Sequence, residues 1–151
     1  MKSSSCLTVA CVLFLWTAPA RAGEFFEVGG VAIRGYDPVA YVTERQPVKG
    51  SAAHTVTYKD SLFYFSSEAN REAFSRDPER YVPRYGGFCA YGTAKGYKAL
   101  TAPEAFTIYQ GKLYLNYNLS VREQWAEDIP DNIQKADHNW PQVSQQSRVI
   151  P

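Results

Sequence analysis

Only one cysteine, Cys89, lies outside the first 22 residues of this 151-residue chain. The other two, Cys6 and Cys11, fall in an apolar run from Cys6 to Trp16, preceded by Lys2 and followed by the small-x-small triplet Ala20-Arg21-Ala22. That order of features predicts a secretory signal peptide over residues 1–22, cleaved after Ala22. The apolar run, 11 residues long, is too short for a hydrocarbon core, which needs about 20. Cleavage would leave a lone thiol in a compartment where disulfides are normally favoured, so no intramolecular disulfide can form. The processed chain must therefore fold on its apolar core alone.

Composition agrees with a folded domain of that kind. The expected processed form carries 14 Lys plus Arg against 15 Asp plus Glu, while the whole chain is 45% hydrophobic and 21% charged. This balance excludes intrinsic disorder, a basic nucleic-acid surface and an acidic tail. No later stretch is apolar enough to span a membrane, so the expectation is a soluble, exported protein, periplasmic or secreted.

Local patterns predict an α+β fold: a small single domain with two β-hairpins, forming one small antiparallel sheet, and several short helices. Thr55–Tyr58 and Leu62–Phe65 are β-prone runs around a turn at Lys59-Asp60-Ser61. Ala105–Tyr109 and Lys112–Tyr117 around Gln110-Gly111 form the clearest hairpin in the chain. Between them, Ser66 or Ser67 can cap a helix that carries Ala69, Ala73 and Phe74 on one face and ends at Asp77-Pro78. Phe88–Gly92 reads as a short helix, as does Leu119–Asp128 with Asn118 or Ser120 as its cap. Pro130–Trp140 follows as a helix with Ile133, Ala136 and Trp140 on one face, stopped by Pro141. The domain is expected over 23–141, and the polar stretch 142–151 is expected to be a flexible tail.

Chemistry-bearing residues are few. Cys89 is either a buried small hydrophobe, a soft-metal ligand with Cu(I) favoured because thiolate suits it, or a reactive thiol. His54 and His138 are the only imidazoles. If a metal binds, the candidate shell is Cys89 and His54 with Asp37. The absence of C-x-x-C and H-x-x-x-H spacings argues against a zinc site, and no nucleophile elbow or Gly-rich phosphate loop occurs. The expectation is accordingly not an enzyme. The chain also carries 11 Tyr. Tyr85, Tyr91 and Tyr97 near Cys89 are candidates for an aromatic binding surface, since tyrosine offers both apolar area and a hydroxyl.

Asp37-Pro38-Val39, then Leu62-Phe63-Tyr64-Phe65-Ser66-Ser67, Phe74, Asp77-Pro78 and Tyr81 succeed one another in an order that resembles the YHS domain, over about residues 37–82. The flanking Gly86–Gly92, Gly111–Asn116 and Ala136–Pro141 resemble the exported, single-domain branch of that family. The resemblance implies metal binding through cysteines, as in the YHS modules of copper-transporting ATPases and some aromatic monooxygenases. It places those cysteines at 40, 66 and 70, where this chain has Ala40, Ser66 and Asn70, none of them a thiol. Two functions are therefore expected as alternatives. One is a copper-handling protein with Cys89 as principal ligand. The other is a non-catalytic module that binds another envelope protein, with Cys89 buried and structural.

Overall fold

The computed structural model describes residues 24–151, so the signal-peptide reading of 1–22 lies outside the described residues. Two short strands, β1 (Glu27–Val28) and β2 (Val31–Ala32), come first, then helix α1 (Pro38–Thr43). The first predicted hairpin follows as β3 (Ser51–Tyr58) and β4 (Ser61–Phe65). Its turn is two residues rather than three: Tyr58 pairs with Ser61, and Lys59 and Asp60 both take positive φ, 48° and 63°. That twist matches the strands it joins. Strand β2 adds in parallel at Val31–Leu62, which gives one sheet in the order β1-β2-β4-β3.

Ser67 caps α2 (Glu68–Arg76) by accepting from the Asn70 N–H, and Pro78 opens α3 (Pro78–Tyr81). Next come α4 (Ala90–Ala94), β5 (Lys98–Ala99) and the second hairpin, β6 (Phe106–Tyr109) with β7 (Lys112–Leu115). This hairpin does not extend the first sheet. Strand β7 instead lies between two cores, because successive side chains of a strand point to opposite faces. Leu113 and Leu115 join Phe63, Phe65, Phe74, Val39 and Tyr41 in one core. Tyr114 joins Tyr85, Ala90, Trp125 and Ala136 in the other. The described residues thus form an α+β fold with six α-helices.

Helices α5 (Leu119–Ala126) and α6 (Ile129–Val143) cover the second core, with Asn118 and Asp128 as their caps. Ala136 is fully buried there and Ile133 and Trp140 pack against it, as their spacing predicts. Helix α6 runs through Pro141 to Val143, because a proline this close to the C-terminus removes only one bond from the final turn. The stretch expected to be a flexible tail is docked instead. Strand β8 (Val149–Ile150) pairs in parallel with β5, the Leu100 N–H donates to the Ile150 carbonyl at 2.9 Å, and Lys98 donates to the carbonyls of Ser144 and Gln146 at 2.8 and 3.0 Å. Polar composition hid this contact, since backbone groups and one lysine make most of it.

Candidate functional site

Asp37 caps α1, and the Asp-Pro pair explains why: the carboxylate takes orphan N–H groups of the first turn, while Pro38 occupies the position where no N–H is needed. One carboxylate oxygen accepts from Val39 N at 2.8 Å and Ala40 N at 3.2 Å. The other accepts from Ser66 N, Ser66 Oγ and Asn70 Nδ2 at 2.8, 2.7 and 2.8 Å. Asp37 is fully buried, and these five bonds join α1, the end of β4 and α2 at one point. A buried charge needs such compensation.

Residues 39–85 match the family model of the YHS domain. This segment is a YHS domain. No curated protein and no solved structure matches the chain.

The YHS match gives the Asp37 cluster its meaning. Positions 40, 66 and 70, where the resemblance puts metal-binding cysteines, do converge in space, but on a carboxylate. Ala40 supplies a backbone N–H, Ser66 a hydroxyl and Asn70 an amide, and Asn70 Nδ2 lies 3.3 Å from Ser66 Oγ. A soft ion has no thiolate here, and both oxygens of Asp37 are already occupied by donors. These residues do not fit the metal that the family suggests.

Cys89 lies outside the YHS segment, at the start of α4. Its side chain is 2% exposed, Sγ accepts from Gly92 N at 3.4 Å, and the thiol donates to Asn116 Oδ1 at 3.6 Å. Burial pushes the thiol pKa up, partly offset by backbone N–H groups, so the protonated form is favoured. Asn116 is fully buried and also accepts from Tyr91 N at 3.0 Å, which makes it the residue that holds the Cys89 turn against β7. Its role is absent from any local pattern, because 27 residues separate the pair.

His54 sits within β3, half-buried, with Nδ1 3.1 Å from Glu68 Oε2. The Arg71 hydrogen bond to Glu68, helped by His54, holds that carboxyl down at about 2. His138 is exposed on α6. The three residues offered as a metal shell, Cys89, His54 and Asp37, share no hydrogen-bond partner. Among the described residues no group of three His, Cys, Asp or Glu side chains is placed to hold a metal ion.

Of the three tyrosines offered as a surface, Tyr85 is a core residue, 4% exposed. It packs on Tyr114 and Trp140, and its hydroxyl donates to Asp137 at 2.8 Å. Burial and that bond push its phenol pKa up. Tyr91 is half-buried under Lys95, and only Tyr97 is exposed. Hydrophobic residues around a Gly-Gly break gave no signal of which ring would turn inward.

Proposed function

We propose that this chain is an exported, non-catalytic binding module of the cell envelope, built on a YHS domain, in which Cys89 is structural. The burial of Cys89 carries the reading. A cysteine that ligates copper does so as a thiolate within reach of other donors, whereas this thiol is desolvated, kept protonated and committed to Asn116 and Gly92. The same facts weigh against a thiol enzyme. Among the described residues neither imidazole is hydrogen-bonded to Cys89 or to a serine hydroxyl. Export rests on the leader pattern of residues 1–22.

Thiol labelling of the exported product tests this. Its mass should place the N-terminus at Gly23, leaving Cys89 as the one thiol. An aromatic disulfide reagent at pH 8 should label that thiol at least about 100-fold more slowly in the native protein than in denaturant, since reaction requires both access and thiolate. Rapid labelling of native protein would overturn the structural role of Cys89.

A further inference from the structure

Strand β4 points Phe63 and Phe65 into the core, so Tyr64 stands on the opposite face of the sheet. Val31 of β2 is turned the same way, since its neighbour Ala32 is fully buried. On this outer face Tyr64, Val31, Val28 and Tyr36 frame a depression of about 440 Å³. Gly35 keeps it open: a Cβ there would lie 3.4 Å from the Tyr64 ring, 3.6 Å from Val31 and 3.8 Å from Lys49 Nζ. Val28 is 47% exposed, Lys49 is exposed, and Tyr36 and Tyr64 are half-buried, so the surface is open to a partner.

Arg34 and Lys49 line this depression, and no carboxylate does. Acidic neighbours in the chain are turned elsewhere. Glu27 accepts the Ser61 hydroxyl at 2.6 Å, Asp37 is fully buried in the α1 cap, and Glu104 lines a neighbouring depression. Backbone pairing fixes Lys49 opposite Tyr36: Asp37 N donates to the Val48 carbonyl and Gly50 N to the Gly35 carbonyl, both at 2.9 Å. The Lys49 ammonium lies 4.6 Å from the Tyr36 ring centroid and spends one of its three N–H groups on the Arg34 carbonyl. Arg34 spends only Nε, on the Thr101 carbonyl at 3.1 Å, which leaves both terminal NH2 groups without a partner among the described residues. Neither cation forms an ion pair among the described residues, and residues 1–23 contain neither Asp nor Glu. The hydroxyls of Tyr36 and Tyr64 likewise have no hydrogen-bond partner among the described residues.

We propose that this face docks an acidic peptide segment of a protein partner, in which an Asp or Glu carboxylate meets Lys49 and Arg34 and an adjacent apolar side chain covers Val28 and the Tyr64 ring. The charge argues for the carboxylate, because both cations keep free donors and nothing acidic competes for them. The exposed valine and the two rings argue for the apolar neighbour, since covering them removes apolar area from water. Tyrosine and arginine are also the side chains over-represented where proteins meet. The inference rests on the binding-module reading and gives it a surface and a partner chemistry. That reading has its own test in thiol labelling, so a failure here leaves the labelling result standing.

The test titrates the ¹⁵N-labelled exported protein, at low salt, with the peptide acetyl-Asp-Phe-Glu-Leu-amide and with its neutral counterpart acetyl-Asn-Phe-Gln-Leu-amide. In the wild type the acidic peptide should bind at least about ten-fold more tightly, the margin of one charge-assisted contact. Its amide shift changes should centre on Gly35, Tyr36, Lys49 and Tyr64, and the preference should shrink as salt is added. Lys49→Glu should abolish the preference. Because Lys49 also holds the Arg34 carbonyl, Lys49→Arg serves as the companion: it keeps the cation and should keep the preference. Val28→Ser, at an exposed position outside both cores, should weaken both peptides. Binding of neither peptide to the wild type, equal affinity for the two, or shift changes centred elsewhere would overturn the proposal. So would a preference that survives Lys49→Glu or is lost in a folded Lys49→Arg, or affinities that Val28→Ser leaves unchanged.

Discussion

Asp37→Asn should destabilise the domain by about 3–5 kcal/mol, since it breaks charge-assisted bonds and leaves buried donors facing one another. Both oxygens of Asp37 only accept, one from Val39 and Ala40 and the other from Ser66 and Asn70. Whichever way the new amide turns, its NH2 meets backbone N–H groups that now donate to Asp37, those of Val39 and Ala40 on one side and that of Ser66 on the other. Urea unfolding followed by circular dichroism measures the loss. A cost below about 1 kcal/mol, the range of ordinary surface changes, would show that the cluster does not hold α1, β4 and α2 together.

Gly86→Ala is the second large effect, expected at about 2–4 kcal/mol from strain and collision together. Gly86 takes φ +61°, and an added Cβ would lie 2.5 Å from the Glu24 carbonyl oxygen. Its own carbonyl accepts from Phe26 N at 2.7 Å, so the N-terminal segment cannot move aside without losing that bond. Gly111→Ala is the control, because Gly111 takes φ +72° with nothing within 4 Å of an added Cβ. It should cost only about 1 kcal/mol, the conformational part. Equal costs for the two variants would show that the Glu24 contact contributes nothing.

The legible parts of the fold were those governed by local chemistry. The turn at Gln110-Gly111, the Ser67 and Asn118 caps and the inward face at Ile133, Ala136 and Trp140 each follow from a few adjacent residues. What could not be read depends on partners distant along the chain. Strands of two residues, such as β1, β2, β5 and β8, carry no periodicity, so the docked C-terminus left no pattern. Asp37 drew notice as a possible ligand, yet the Asp-Pro-Val start of α1 already marked it as a cap; its bonds to Ser66 and Asn70, 29 and 33 residues away, required the fold. The Cys89–Asn116 contact is likewise a tertiary fact.

Metal analysis of the exported protein, purified under reducing conditions from cells grown with added copper, tests the central claim most directly. The account holds that a carboxylate cluster stands where related domains would place thiols and that Cys89 is closed off. It therefore predicts less than about 0.1 equivalent of copper in both the wild type and Cys89→Ala, the level expected of adventitious binding without a thiolate site. Near-stoichiometric copper in the wild type that disappears in Cys89→Ala, with both proteins folded, would contradict it.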